Sequence, residues 1–193
     1  MLTLAPKVLA ARVAPRTKTS AVVLTIAFAA LTALAAQWRF YLPFTPIPIT
    51  GQTFAVLLSG AALGWRLGGA SQVLYVGAGL VGLPVFAGGG SGFDTITGAS
   101  GGYLVGFVIA AALVGHLAER GQDRRVDTAA AAFLLGSVVI YLFGVAWLMQ
   151  VTGWDLPEAM AKGVAPFVVG DLLKAGFAAL ALPAVWRLVG DRG

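Results

Sequence analysis

The stretch ERGQDRRVD, residues 119–127, packs three arginines and three acids into nine positions. On either side the chain turns apolar at once. Residues 102–118 before it and 128–151 after it hold no Asp, Glu, Lys or Arg, and His116 is their one titratable imidazole. Each run is close to or beyond the ~20 residues a helix needs to cross hydrocarbon. A charged knot between two such runs reads as a loop at a membrane surface, and arginine-rich short loops lie on the cytoplasmic side.

The composition extends that reading to the whole chain. Hydrophobic residues make up 59% of the 193, charged residues 11%, and mean hydropathy is +0.88. Soluble domains carry roughly 25% charged residues, and one of this size could not hide so much apolar surface. The sequence predicts an all-α membrane protein, with 26 glycines suited to close helix packing in lipid. With no cysteine, disulfides, thiolate chemistry and Cys-based metal sites are excluded. The net charge of +5 is spread over loops without interleaved aromatics, which argues against nucleic acid as a partner. The Ala-rich run 21–36 imitates a signal-peptide core, but further spans follow immediately, and it reads as a retained first helix.

Six spans are predicted, at residues 20–38, 52–65, 67–86, 102–118, 128–151 and 164–189, with Pro84 and Pro183 marking the ends of the third and sixth. Residues 1–19 form a basic N-terminal segment and 20–193 the six-helix domain. Lys7, Arg12, Arg16, Lys18, Arg66, Arg120, Arg124, Arg125, Arg187 and Arg192 fall on one side of this arrangement, and only Arg39 and Lys162 on the other. That ten-to-two asymmetry predicts both termini on the cytoplasmic side. The outer loops differ from the inner ones. LPFTPIPITGQ, residues 42–52, is stiffened by prolines into a non-helical form. The glycine-rich loop 82–102 is long enough to act as a lid. The third outer loop, around residues 152–167, reads as a short interfacial helix.

The sixth span carries an acid and a base. Asp171 and Lys174, three residues apart, share one face of a helix, with Lys174 about 10 Å below its outer end at ~1.5 Å per residue. A lone charge in lipid costs at least ~2.5–3.5 kcal/mol by insertion scales, so an intramembrane pair must face protein or water. The pair reads either as a snorkelling lysine with its counter-ion or as part of a ligand pocket open to the outside. Gly170 beside it favours a close approach by another group. In the first span Thr25, Ala29 and Ala33 form a small-residue stripe, suited either to packing within the bundle or to docking a separate membrane protein. His116 sits across the membrane from Ser91 and Ser100, so no Ser–His pair forms. With no metal-ligand spacing and no nucleotide-binding loop, the sequence predicts a chain that is not an enzyme and needs no cofactor.

The stretches PFTPIPITGQTFAVLLSGAALGWRLG, GLPVFAGGGSG, GGYLVGFVIAAALVGHLAERG and PFVVGDLLKAGFAALAL stand in order along the chain. Together they resemble the BioY family, the biotin-binding S components of energy-coupling factor (ECF) transporters. The resemblance implies a six-helix bundle holding biotin near the outer surface, under the first and third loops. The family's GD-x-x-K motif falls on Gly170, Asp171 and Lys174. Its TGGYL motif falls on SGGYL, with Ser100 in place of Thr, and its GVPWL stretch reads GVAWL, with Ala146.

On that resemblance Asp171 would accept from the ureido N–H groups and Lys174 would donate to the ureido carbonyl. Tyr103, Gln52, Asp94, Phe44 and Ser100 are further ligand candidates, and Phe86 and Trp147 would line the sulfur ring and chain. The implied function is high-affinity biotin binding in the cytoplasmic (inner) membrane. The implied partners are biotin, the lipid bilayer, a transmembrane coupling protein docked on Ala29 and Ala33, and ATPase subunits. The alternative is a self-contained secondary transporter or facilitator, which would show internal repeats and broken helices; the sequence displays neither.

Overall fold

The computed structural model describes residues 3–190; Arg192, counted above among the bases, lies outside them. In chain order the elements are α1 (Ala10–Val13), α2 (Lys18–Gln37), β1 (Arg39–Phe40), β2 (Ile49–Thr50), α3 (Gln52–Leu80), a 3-10 turn (Ala87–Gly89), α4 (Gly92–Thr97), α5 (Gly101–Glu119), α6 (Val126–Thr152), α7 (Leu156–Gly163) and α8 (Ala165–Val189). The protein is thus mostly helical. Of these, α2, α5, α6 and α8 are each long and apolar enough to cross a membrane.

The second and third expected spans form the single element α3, which breaks at Gly64. There φ is 82° and ψ 176°, a backbone form that favours glycine, and a Cβ would also collide with the Glu119 carboxylate. The two arms, 52–63 and 65–80, fold back on each other. Gln72 Nε2 lies 3.0 Å from Ser59 Oγ, and Gln52 Nε2 donates to Tyr75 OH at 2.6 Å. In one straight helix residues 59 and 72 would be about 20 Å apart. Gly60 and Gly68 allow the arms to touch, since a Cβ on Gly68 would meet Gly60 Cα at 2.7 Å.

The second arm ends at Leu80, not at Phe86. Hydropathy continues through Val81, Leu83 and Val85, but Gly82 has φ 98°, outside the helical region, and Pro84 just beyond it has no N–H with which to resume the helix. The chain therefore turns back, and Phe86 packs edge-on against Tyr75 with ring centroids 5.5 Å apart. Pro183, expected at a helix end, lies inside α8 instead. It is buried, and helices in lipid tolerate the lost hydrogen bond because neighbouring packing compensates.

α3 packs on α5, α5 on α6, α2 on α3, and α6 on α8. The seam between α2 and α3 contains polar groups. Gln72 Nε2 is within hydrogen-bond distance of Thr32 Oγ1 (3.3 Å), Ser59 Oγ (3.0 Å) and Ser71 Oγ (3.1 Å), tying α2 to both arms of α3. Such bonds hold helices together where lipid supplies no hydrophobic drive between them.

The molecule has two unlike ends. One carries the Gly64 turn, the α5–α6 loop and the N-terminal segment. That segment is no free basic tail: Leu4, Val8 and Ala10 are buried against Ala21, Leu63 and Leu67. The other end carries the loops. The proline-rich loop closes an antiparallel β1–β2 pair with Arg39 opposite Thr50 and Phe40 opposite Ile49, a small sheet within the expected all-α fold. The glycine-rich loop contains the 3-10 turn and α4, and the third outer loop forms α7, as expected. Asp155 caps α7 by accepting from Glu158 N at 2.9 Å.

Candidate ligand-binding site

A cavity of about 200 Å³ opens at the loop end. Its floor is polar and its walls are apolar. α8 supplies Asp171 and Lys174, the start of α3 supplies Gln52 and Thr53, and α6 supplies Tyr141. Ile47, Phe107, Ile140 and Phe167 form much of the wall, and Pro46 and Pro48 of the proline-rich loop reach over it.

Asp171 is 5% exposed. Its Oδ1 accepts from Thr53 Oγ1 at 3.1 Å and from Lys174 Nζ at 3.0 Å, and its Oδ2 accepts from Tyr141 OH at 2.5 Å. Lys174 Nζ also donates to Thr53 Oγ1 at 2.6 Å and to the Thr50 carbonyl at 3.2 Å. Four side chains from three helices and one backbone carbonyl therefore converge on one point. Lys174 does not snorkel away from the cavity; it lines it. A carboxylate offers about four acceptor positions and an ammonium three donors. Asp171 has roughly one position left, on Oδ2, and all three Lys174 protons have acceptors.

The structure brings five of the seven expected ligand residues to the cavity: Asp171, Lys174, Tyr103, Gln52 and Ser100. Gln52 serves the wall. Its Oε1 accepts from Thr50 Oγ1 at 3.0 Å while its amide nitrogen holds Tyr75. Tyr103 presents its ring, since its hydroxyl donates to the Gly163 carbonyl at 2.8 Å and so ties α5 to α7. Phe86 lines the cavity as expected. Phe44 is 55% exposed and outside the lining, and Asp94 sits exposed on α4, also outside it. Trp147 is likewise outside, its indole nitrogen donating to the Gly98 carbonyl at 2.9 Å and fixing the loop before α5. Gly170 has open space where a Cβ would be, so no group makes a close approach there.

Sequence reasoning passed over Thr53 and Tyr141. Thr53 adjoins Gln52 in the motif already singled out, and Tyr141 is a hydroxyl within an apolar span. A tyrosine so placed needs a hydrogen-bond partner, which was the available signal. On α2, Ala29 is buried and belongs to the core, and Ala33 is half-buried against it. Ala27 and Ala30 are small residues on the exposed face of that helix.

The sequence model of the BioY family matches residues 9–191. The probable biotin transporter BioY of Pyrococcus horikoshii is 39% identical over 163 residues, covering 84% of this chain and 94% of that protein. The biotin transporter BioY of Rhizobium etli is 37% identical over 166 residues, covering 82% of this chain and 88% of its own. Among solved structures, the S-component for biotin from an ECF-type ABC transporter superposes with a TM-score of 0.80 at 22% identity. It covers 89% of this chain and 93% of that one, a likeness of fold. With a family match over residues 9–191 and relatives of this similarity, the chain belongs to the BioY family.

Proposed function

We propose that this chain is the high-affinity biotin-binding subunit of a vitamin-uptake system in the cytoplasmic membrane. It would work with a transmembrane coupling protein and ATPase subunits of the ECF type. The observation that carries this reading is the Asp171–Lys174–Thr53–Tyr141 cluster at the floor of an otherwise apolar cavity. Biotin has a matching shape: a polar ureido ring at one end, then an apolar thioether ring and chain.

The chemistry follows from the donor and acceptor count. A ureido N–H takes the remaining acceptor position on Asp171 Oδ2 without displacing anything. The ureido carbonyl needs a proton from Lys174, and the most readily released acceptor is the Thr50 carbonyl, the longest of its contacts at 3.2 Å. Thr50 belongs to β2, so ligand binding loosens one tie between α8 and the proline-rich loop. In this way occupancy of the cavity is communicated to the loop above it. Tyr103, Gln52 and Ser100 serve as walls, and Phe44 and Asp94 receive no ligand contact.

In the membrane, the two arms of α3 each make a crossing, giving six with α2, α5, α6 and α8, and both termini lie inside. The fold-back at Gly64 and the basic asymmetry of the loops support that arrangement. Docking of the coupling protein involves α2. Ala33, half-buried, and the exposed Ala27 and Ala30 are available to a partner, whereas Ala29 is engaged in the bundle.

Titration of the detergent-purified chain with labelled biotin tests the binding role; saturable binding is expected, weakened about 10- to 100-fold in an Asp171→Asn variant. Uptake by vesicles holding this chain alone, without ATPase subunits, would instead favour a self-contained transporter. Ala30→Trp is expected to abolish ATP-driven uptake while leaving biotin binding intact, because it blocks close helix approach at an exposed site.

A further inference from the structure

The ligand cavity has a second polar feature, away from the Asp171 floor. Tyr41 lines the cavity yet is 62% exposed, so it stands at the mouth. Arg39, two residues earlier on β1, is exposed beside it, with its Cζ 5.7 Å from the Tyr41 ring. A Cβ built on Gly88 would lie 3.1 Å from Arg39 Nη1 and equally from Tyr41 OH. The guanidinium and the hydroxyl therefore flank one patch of glycine backbone, no farther apart than twice that distance. A carboxylate can bridge such a gap with one oxygen on each group. The backbone beneath them is tied down. Phe86 N donates to the Gly90 carbonyl at 3.0 Å, Gly89 N to the Phe86 carbonyl at 3.0 Å, and Gln37 Nε2 to the Phe86 carbonyl at 3.3 Å.

The other bases at this end are already neutralised. Lys162 pairs with Glu158 at 2.7 Å, and Lys174 with Asp171 at 3.0 Å. Arg39 has neither an acid nor a hydrogen-bond acceptor among the described residues, and the Tyr41 hydroxyl has no hydrogen-bond partner among them. A guanidinium beside a ring keeps its N–H groups for a planar anion.

We propose that Arg39 and Tyr41 form a carboxylate subsite at the mouth of the cavity, which selects the free acid of the ligand over its amide-linked forms. This rests on the biotin reading above, which places the ureido ring at Asp171 and leaves the valerate carboxylate without a partner. The apolar wall of Phe86, Phe107 and Ile140 suits the chain that joins the two ends. Arg39 can donate paired hydrogen bonds to the carboxylate, and the Tyr41 hydroxyl can donate one. Both ends of the ligand then act on one β-pair. Arg39 of β1 lies opposite Thr50 of β2, whose carbonyl accepts from Lys174 at 3.2 Å.

The test compares the full chain with Arg39→Gln and Tyr41→Phe variants in equilibrium titrations. The ligands are biotin and biotinamide, in which a neutral amide replaces the carboxylate. The parent is expected to bind biotin about fivefold more tightly than biotinamide, the scale of an exposed charged pair. High salt should reduce that preference. Arg39→Gln should weaken biotin about fivefold and leave biotinamide unchanged. Tyr41→Phe should weaken biotin alone, by about twofold. If Arg39→Gln weakens both ligands equally, Arg39 holds the loops in place and the subsite is overturned. A parent that binds the two ligands equally well overturns it too. Parent-like biotin binding by Tyr41→Phe removes the hydroxyl from the subsite. Failure of the parent to bind either ligand would refute the biotin reading itself, and the subsite with it.

Discussion

Asp171 and Asp123 are both buried, 5% and 3% exposed, but the fold surrounds them differently. Asp171 receives donors from Thr53, Lys174 and Tyr141 and faces a cavity. Asp123, in the α5–α6 loop, receives the Trp186 indole on Oδ2. Its Oδ1 has no hydrogen-bond partner among the described residues. Burial pushes the Asp123 carboxyl up from 3.8 to about 6, against the opposing pull of the Trp186 hydrogen bond and the Arg124 guanidinium. Depth of burial therefore does not distinguish the acid proposed to meet the ligand from the one that ties down a loop. What distinguishes them is whether counter-charge and donors have been assembled around the carboxylate, and whether an acceptor position still faces open space.

The largest effect is expected where the donors converge. Asp171→Asn keeps the shape, removes the charge and offers a competing donor. Charge-assisted hydrogen bonds contribute roughly 1.5–3 kcal/mol, so biotin affinity should fall about 10- to 100-fold by equilibrium titration. Lys174→Met should cost a similar factor, part of it from leaving Asp171 without its cation. Parent-like affinity in both variants, with lowered thermal stability, would make Asp171 a structural acid like Asp123 and erase the contrast.

Asp123 gives the next effect, in stability and not in binding. Its carboxyl holds a proton more tightly when folded (about 6) than when unfolded (3.8). The folded state thus binds more protons between those values, and stability declines as pH rises through that window, then levels off. With a cost of 1.36 kcal/mol per pKa unit, the decline attributable to Asp123 is about 1–3 kcal/mol. Asp123→Asn keeps an acceptor for Trp186 and has no charge to bury. Its melting temperature should exceed the parent's at pH 7.5 and converge with it near pH 4, with biotin affinity unaltered. A parent–variant difference that is the same at both pH values would show that the carboxylate is not the cause.

These contrasts also mark what was legible in the sequence. Asp171 and Lys174 stood out because charge inside an apolar run is rare and expensive, and their spacing alone put them on one face. Thr53 and Tyr141 did not stand out, because hydroxyls are ordinary in membrane helices and their partners lie 118 and 30 residues away in the chain. The boundary between runs 52–65 and 67–86, with Arg66 between them, marked where the chain reverses. That the whole reversal is made at Gly64, with no loop, depends on a positive φ that composition does not encode. The N-terminal segment was read through its bases alone. Leu4 and Val8, four residues apart and both buried, held the missed signal that it folds under the bundle. Ala29 and Ala33 were legible as a small-residue stripe, but which side of the helix meets the bundle is a tertiary fact.

The smallest effect is expected at Tyr141, and it decides how the donors around Asp171 act. Tyr141→Phe removes the donor to Oδ2 while preserving the ring near Phe167, whose centroid is 6.4 Å away. Two consequences oppose each other. The carboxylate loses a group that fixes its orientation, and it gains a second open acceptor position for the ligand. A typical hydrogen bond contributes about 0.5–1.5 kcal/mol net, and the gained acceptor offsets part of that. Biotin affinity should therefore drop by about threefold. A double-mutant cycle with Asp171→Asn reads the mechanism. If Tyr141 acts by orienting Asp171, its removal should cost nothing further in the Asp171→Asn background, giving a coupling close to the whole single-variant effect. If the two losses simply multiply, the Tyr141 hydroxyl contacts the ligand on its own account, and the carboxylate is held by Lys174 and Thr53 without it.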